Sequence, residues 1–266
     1  MSAPVGLEVE RLSVAYGGLR AVDDLSLDAP LGRITGLIGP NGAGKTTTFN
    51  ACSGLVAPTA GRIRLLGHDV THTGAASRAR AGLGRTFQRM ELFSSMTVQD
   101  NVALGRESAY AGRNPWRQLR GTVVQERETA SATEAALELC GIRHLAGRRV
   151  GELSTGERRL VELARVVAGR FRLLLLDEPS SGLDHDESDA FGDVLLRLVA
   201  DRNVAILIVE HDMGLALRIC DRLFVLDFGR LLFTGGPDDV RGSEVVRDAY
   251  LGSAAIDTAT REEVLV

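Results

Sequence analysis

The chain has 266 residues, 44% of them hydrophobic, and a net charge of −4. That length supports one large domain, or two closely joined ones, with a real core. The mild acidity supplies no basic field for nucleic acid or for an anionic membrane.

The opening "MSAPVGLEVERLS" lacks the basic and apolar regions of a secretory signal, so none is expected. The three cysteines, Cys52, Cys140 and Cys220, follow no paired spacing and read as small core or surface residues in a reducing compartment. "GLEVERLSVAY" and "LRAVDDLSLDAP" alternate loosely, like strands of a half-exposed sheet. "GRITGLIGP" is a short buried strand running into glycine. "GKTTTFNACSGL" is a helix that starts at that glycine, and "GRIRLLGHDV" is a further strand. From about Ser94 the texture turns helical. "SMTVQDNVALGRESAY" carries a T-x-x-D cap signal at Thr97, and "ERETASATEAALELCGI" and "ELSTGERRLVELARVV" have helical spacing. Between them "AYAGRNPWRQLRG" reads as a loop or short-helix insert.

Strands and helices then alternate. "FRLLLLDEP" and "NVAILIVEHD" are strands, "DESDAFGDVLLRLVADR" and "MGLALRIC" helices, and "DRLFVLDFGRLLFTG" a hairpin. The two apolar strands fall far short of the roughly 20 residues that cross a bilayer, so any membrane role must come through a partner. The alternation predicts a mainly parallel, doubly wound α/β sheet with a helical subdomain inserted in it. The expected division is a domain over residues 1–252, with core 1–93 and 168–252, a helical part at about 94–167, and a tail at 253–266. Asp227-Phe228-Gly229 spells a kinase D-F-G, but no H-R-D-x-x-x-x-N precedes it. It reads as the turn of the hairpin.

"GPNGAGKTT", comprising Gly39, Pro40, Asn41, Gly42, Ala43, Gly44, Lys45, Thr46 and Thr47, fits G-x-x-x-x-G-K-[ST] between a buried strand and a helix. Its glycines let backbone N–H groups curl around phosphate, and the helix aims its positive end at the same charge. Lys45 reaches the β- and γ-phosphates, and the Thr46 hydroxyl ligates Mg²⁺. Four leucines carry Asp177 to the end of a buried strand, the edge where such sheets bind ligands. Asp177 then holds Mg²⁺ opposite Thr46, and Glu178 orients and deprotonates a water. His211 ends another buried strand at the same edge, within reach of the γ-phosphate and the water. Ser154 and Glu157 satisfy S-x-x-E. A helix cap alone explains them, although a helix N-terminus with a hydroxyl and a glycine is also an anion site.

The order of these motifs, with Gln88 in "RTFQRM" and "SGLD" ending at Asp184, resembles the ATP-binding subunits of ABC transporters across nearly the whole chain. The resemblance implies a P-loop NTPase (RecA-like) core with an N-terminal antiparallel β-subdomain and an inserted helical subdomain. It implies that Tyr16 stacks on adenine and that Gln88 is the Q-loop glutamine, beside the metal. "LSTGE", with Ser154, Thr155, Gly156 and Glu157, becomes the signature. Asp177 and Glu178 become the Walker B pair, Asp184 the D-loop aspartate and His211 the switch histidine. ATP and Mg²⁺ are the implied ligands. In this family two subunits pack head to tail, so each nucleotide lies between one Walker A loop and the other subunit's signature. The usual signature is LSGGQ; here Thr155 replaces a glycine and Glu157 the glutamine. A carboxylate near the γ-phosphate should weaken ATP docking unless it turns back to cap Ser154.

"GRTFQRMELFSSMTVQDNV", the insert after it, "VEHDM" and "VRDAYLG" look like the branched-chain amino-acid importer ATPases. The expected partners are integral-membrane permease subunits, a second cassette (identical or paralogous) and, indirectly, an extracytoplasmic substrate-binding protein, with no nucleic acid. The expected location is peripheral, on the cytoplasmic face of the inner membrane. The alternatives are a lipopolysaccharide- or lipid-type exporter ATPase, or a soluble non-transport ABC ATPase.

Overall fold

Two sheets and their covering helices organise the described residues, which are 5–86, 91–108 and 123–250 of this computed structural model. In chain order, β1 (Val5–Tyr16) and β2 (Leu19–Pro30) lead to β3 (Ile34–Ile38) and α1 (Lys45–Ser53). Then come β4 (Ala60–Leu65), β5 (His68–Asp69), α2 (Ala75–Arg80) and β6 (Leu83–Arg85). The helices α3 (Val98–Ser108), α4 (Val123–Leu139) and α5 (Thr155–Ala168) follow. The last part alternates β7 (Leu173–Asp177), α6 (His185–Arg202), β8 (Ala205–Val209), α7 (Met213–Ile219), β9 (Arg222–Asp227), β10 (Arg230–Gly235) and α8 (Pro237–Gly242).

The first sheet is antiparallel, in the order β2-β1-β4-β5. The second has the order β10-β9-β3-β8-β7-β6 and is parallel except where β10 pairs with β9. The expected α/β fold is thus present. Every residue of β3, β7 and β8 is buried, as befits parallel strands covered on both faces. Their side chains part at period two. Leu174, Leu176, Ile206 and Ile208 join the core that includes the helices. Leu173, Leu175, Leu207 and Val209 face the other way and pack with the antiparallel sheet and Phe49 of α1. One five-residue apolar run therefore supports two cores and delivers its last residue to a fixed edge.

Thr97 caps α3 as its spacing predicts: its hydroxyl oxygen accepts from the Asp100 N–H at 3.1 Å. The "GRIRLLGHDV" strand is instead two, split at Leu66 and Gly67, whose φ values of 50° and 82° turn the chain. The short α2, β6 and α8 carry too few periodic residues to announce themselves. All three cysteines are buried, and burial pushes the thiols of Cys52 and Cys140 up to about 12. No described helix is long and apolar enough to cross a membrane.

Arg78 fixes the far end of α1. It is 1% exposed and donates to the carbonyls of Ala51 at 2.5 Å, Cys52 at 2.8 Å, Thr71 at 3.1 Å and Thr73 at 3.0 Å. The first two belong to the last turn of α1, where carbonyls lack i+4 partners; that of Ala51 also accepts from the Gly54 N–H at 3.2 Å. Arg78→Met should lower the unfolding free energy by about 2–3 kcal/mol, because buried acceptors lose a charged donor. Urea denaturation measures this; a loss below about 0.5 kcal/mol would place those carbonyls in other hands.

Candidate active site

The loop from Gly39 to Gly44 joins the end of β3 to the start of α1. Only glycine fits at either end. Gly39 has φ +147°, and a Cβ there would lie 2.2 Å from the Leu226 carbonyl oxygen. Gly44 has φ +97°, and a Cβ there would lie 2.6 Å from the Ala21 carbonyl oxygen. The loop is therefore wedged between β9 and β2, and the Gly229 N–H fastens it by donating to Ala43 at 3.1 Å. No side chain caps α1, so its N-terminal N–H groups and dipole remain for an anion. Lys45 is buried, and its Nζ donates to the Gly39 and Pro40 carbonyls at 2.7 and 2.8 Å. Burial lowers its pKa, while the Glu178 and Asp177 carboxylates act in the opposite sense.

Strands β7 and β8 supply the acids and the histidine. The Glu178 N–H donates to Val209 at 2.9 Å, which carries the parallel ladder one residue past β7. Glu178 has φ +48°, a sparsely populated conformation for a side-chain-bearing residue. Its Oε1 lies 2.6 Å from His211 Nε2. Just before His211, the buried Glu210 accepts from the Ser180 N–H at 3.1 Å and hydroxyl at 2.7 Å. Burial pushes the Glu210 carboxyl up to about 6, against the pull of those Ser180 bonds. Glu210 thereby ties the loop after β7 to the end of β8.

Asp177 is 4% exposed and sits behind this edge. Burial raises its pKa, and Arg85 is the main opposing influence. Arg85 Nη2 donates to Asp177 Oδ2 at 3.2 Å, and Nη1 donates to Asn50 Oδ1 at 2.9 Å and Ser53 Oγ at 2.7 Å.

A cavity of about 700 Å³ opens on these groups. Residues 41–47 of the loop, Glu178 and His211 line it together, so three widely spaced motifs converge. Leu19, Arg20 and Phe228 also line it, whereas Tyr16, half-exposed and paired with Leu19 at the hairpin end, does not. Gln88 lies outside the described residues. A larger open hollow of about 880 Å³, around Arg11, Asp24 and Arg62, gathers no residue of the loop. Its charges already pair with carboxylates nearby.

Residues 154–157 and Asp184 do not line the cavity either. They begin two adjacent helices. The Ser154 hydroxyl accepts from the Glu157 N–H at 3.2 Å, and Glu157 Oε2 accepts from the Ser154 N–H at 2.8 Å. Arg148 Nη1 lies 3.6 Å from the other Glu157 oxygen. The carboxylate is therefore turned back on its own helix. Asp184 and Glu187 form the same reciprocal cap on α6. The two N-termini abut: a Cβ on Gly156 would lie 2.4 Å from Glu187 Oε1, and Arg159 Nη2 donates to Ser181 O at 3.3 Å.

The residues present suit Mg²⁺. Thr46, at the start of α1, and Asp177, at the end of β7, offer hard oxygen donors, and the described residues contain no cluster of three or more acidic, histidine or cysteine ligands. Mg²⁺ prefers that economy, taking one or two protein oxygens and completing its shell with water and substrate phosphates.

Sequence reasoning did not find Arg85, Arg20, Phe228 or the Ser180–Glu210 tie. Arg85 lies on the three-residue β6, with no spacing rule to mark it. Phe228 shows in the sequence only turn chemistry, but the turn lies at the cavity.

The ABC transporter family model matches residues 22–181. The chain belongs to the ABC transporter ATP-binding family. It is 38% identical over 257 residues to the high-affinity branched-chain amino acid transport ATP-binding protein BraF of Pseudomonas aeruginosa, covering 96% of this chain and 100% of BraF. LivG of Escherichia coli, described in the same words, is 36% identical with the same coverage. LptB, a lipopolysaccharide export ATP-binding protein of Acidithiobacillus ferridurans, is 36% identical over 92% of this chain and 96% of LptB. Among solved structures, an ATP-binding cassette of an ABC transporter in its ADP conformation superposes with a TM-score of 0.82, at 29% identity, covering 93% of this chain and 99% of that one. The cassette is accordingly an ATPase subunit of a transporter.

Ser154→Ala should cost this cassette about 1 kcal/mol, the usual worth of an N-cap. Glu157→Gln keeps the reach for the Ser154 N–H and should cost less than about 1 kcal/mol. Urea unfolding of both variants checks the order; a larger loss for Glu157→Gln would make the Arg148 ion pair the stronger tie.

Proposed function

We propose that this cassette is the ATP-hydrolysing motor of an importer for branched-chain or related amino acids or amides. The observation that carries the motor role is the convergence of Lys45, Glu178 and His211 on one cavity, while residues 154–157 stand outside it. A chain so built has a complete P-loop half and a separate signature half. Two cassettes, identical or paralogous, then pack head to tail, each P-loop facing the other's Ser154 helix. The amino-acid substrate is supported by full-length similarity to BraF and LivG.

ATP is the substrate. Its phosphates take the loop N–H groups, and Lys45 exchanges the Gly39 and Pro40 carbonyls for the β- and γ-phosphate oxygens. Thr46 and Asp177, with Gln88, would hold Mg²⁺, which neutralises charge building on the phosphates. Glu178 accepts the proton of the attacking water at a carboxylate oxygen. His211, hydrogen-bonded to Glu178, keeps that carboxylate aimed at the water. The water oxygen bonds to the γ-phosphorus as the bond between that phosphorus and the β–γ bridging oxygen breaks, leaving ADP and phosphate. Glu157, turned back on Ser154 and Arg148, keeps its charge off the partner's ATP.

The movement reaches a permease, on the cytoplasmic face of the membrane, through the helical part. A groove of about 490 Å³ lies where that part meets the sheet core, with Leu55 and Phe93 exposed along it. Its mainly apolar lining, which also carries Arg85, Glu91 and Arg165, fits a short cytoplasmic helix of the permease.

Glu178→Gln should leave ATP binding intact and slow hydrolysis by roughly 10²–10⁴-fold, the usual worth of a positioned base. Cells carrying only this variant should lose uptake of labelled leucine, isoleucine and valine. Turnover at the wild-type rate would remove Glu178 from the base role. Slow turnover with undiminished uptake of all three would reject the proposed substrate class and leave the motor standing.

A further inference from the structure

Arg85 opens the "RTFQRM" stretch that carries Gln88, where it has no assigned role, yet it sits at the junction of the site's elements. It ends β6, beside β7, with Arg85 in register with Leu175. Asp177 is buried, and the Arg85 side chain is only 9% exposed. Such a pair is a poor source of stability, since desolvation offsets most of the attraction. Its retention calls for a role in placement.

The geometry supplies one. Guanidinium is a rigid, planar fork, so fixing one arm fixes the other. Here Nη1 is held by Asn50 and Ser53, both on α1. The Arg85 carbon Cζ also lies 5.8 Å from the Phe49 ring centroid, on the same helix. Nη2 is thereby aimed at Asp177 Oδ2. The helix that holds the fork begins with Lys45 and Thr46. Arg85 thus sets the Walker B carboxylate of one element against the helix that bears the hydroxyl ligand. It engages Oδ2 and leaves Oδ1 for another partner. The Asp177 backbone is fixed too, its N–H donating to Thr86 Oγ1 at 3.3 Å.

We infer that Arg85 is a positioning residue, which holds the Asp177 carboxylate in register with Thr46 for the divalent cation of the nucleotide. The inference rests on the ATPase reading. It separates two things a P-loop does: gripping the phosphates, which needs the loop and Lys45, and seating the metal, which needs Asp177 in place.

The test uses the full chain and two variants, Arg85→Met and Arg85→Lys. ATP affinity is measured in EDTA. Mn²⁺, a spectroscopic stand-in for Mg²⁺, is titrated into the ATP complex by electron paramagnetic resonance, alongside the Mg²⁺ concentration that half-saturates hydrolysis. For Arg85→Met the metal affinity should fall about tenfold or more, the scale of a lost charge-assisted contact. ATP affinity in EDTA should stay within about twofold of wild type, because the loop and Lys45 are untouched. Arg85→Lys should recover part of the loss. Asn50→Ala, which removes one of the two holds on Nη1 and keeps the ion pair, should move metal affinity less and in the same direction; it decides the matter if Arg85→Met does not fold. Unchanged metal affinity with only a lower unfolding midpoint would make Arg85 a structural ion pair and overturn the inference alone. A wild-type chain without metal-dependent ATP binding would overturn the ATPase reading with it.

Discussion

A buried ammonium held by neutral carbonyls is the constraint on which this site depends. Lys45 is 6% exposed, and its two hydrogen-bond partners, Gly39 and Pro40, carry no charge. Such a cation is costly to hide and favours an environment of negative charge. The fold meets that need at one sheet edge. Asp177 and Glu178 arrive on β7, close enough to act on the Lys45 pKa, and the same edge is open to phosphate. Loop glycines, helix dipole and carboxylates are all arranged around that single charge. The conformation of Gly39, with β9 backbone against it, makes the arrangement rigid before any substrate arrives.

The parallel sheet is what makes the convergence possible. Asp177 and His211 are 34 positions apart in sequence, and Lys45 is farther still. Adjacent strands running in one direction bring all three ends to one side. The helix capped by Ser154 begins elsewhere. Its Ser154 cap lies against the Asp184 cap, with Gly156 beside Glu187 and Arg159 bonded to the Ser181 carbonyl. The segment after Glu178 and the start of the Ser154 helix are therefore in direct contact.

Much of this was legible from the sequence, for identifiable reasons. The β7 and β8 strands announce themselves because a fully buried parallel strand has no polar positions to disguise it. The P-loop is legible because its glycines answer a backbone requirement, and S-x-x-E because a cap is a local, four-residue event. Arg85 and Phe228 were not legible. Each acts through partners distant in sequence: Arg85 through Asn50, Ser53 and Asp177, and Phe228 through a turn fastened to Ala43 by the neighbouring Gly229. The place of Tyr16 came from resemblance alone, and the cavity lining favours Leu19, Arg20 and Phe228 beside it. The Glu157 question was open in the sequence because a cap and an anion site need the same residues; the bonds to Ser154 and Arg148 give the cap its geometry.

The most direct measurement is equilibrium binding of ATP·Mg²⁺ to the wild-type chain and to Lys45→Ala. Removing the point charge on the β- and γ-phosphates should weaken binding by roughly 100-fold or more, about 2.7 kcal/mol, with the fold preserved by circular dichroism. Equal affinity in the two proteins would mean that the buried ammonium does not face phosphate, and the site as described would be wrong.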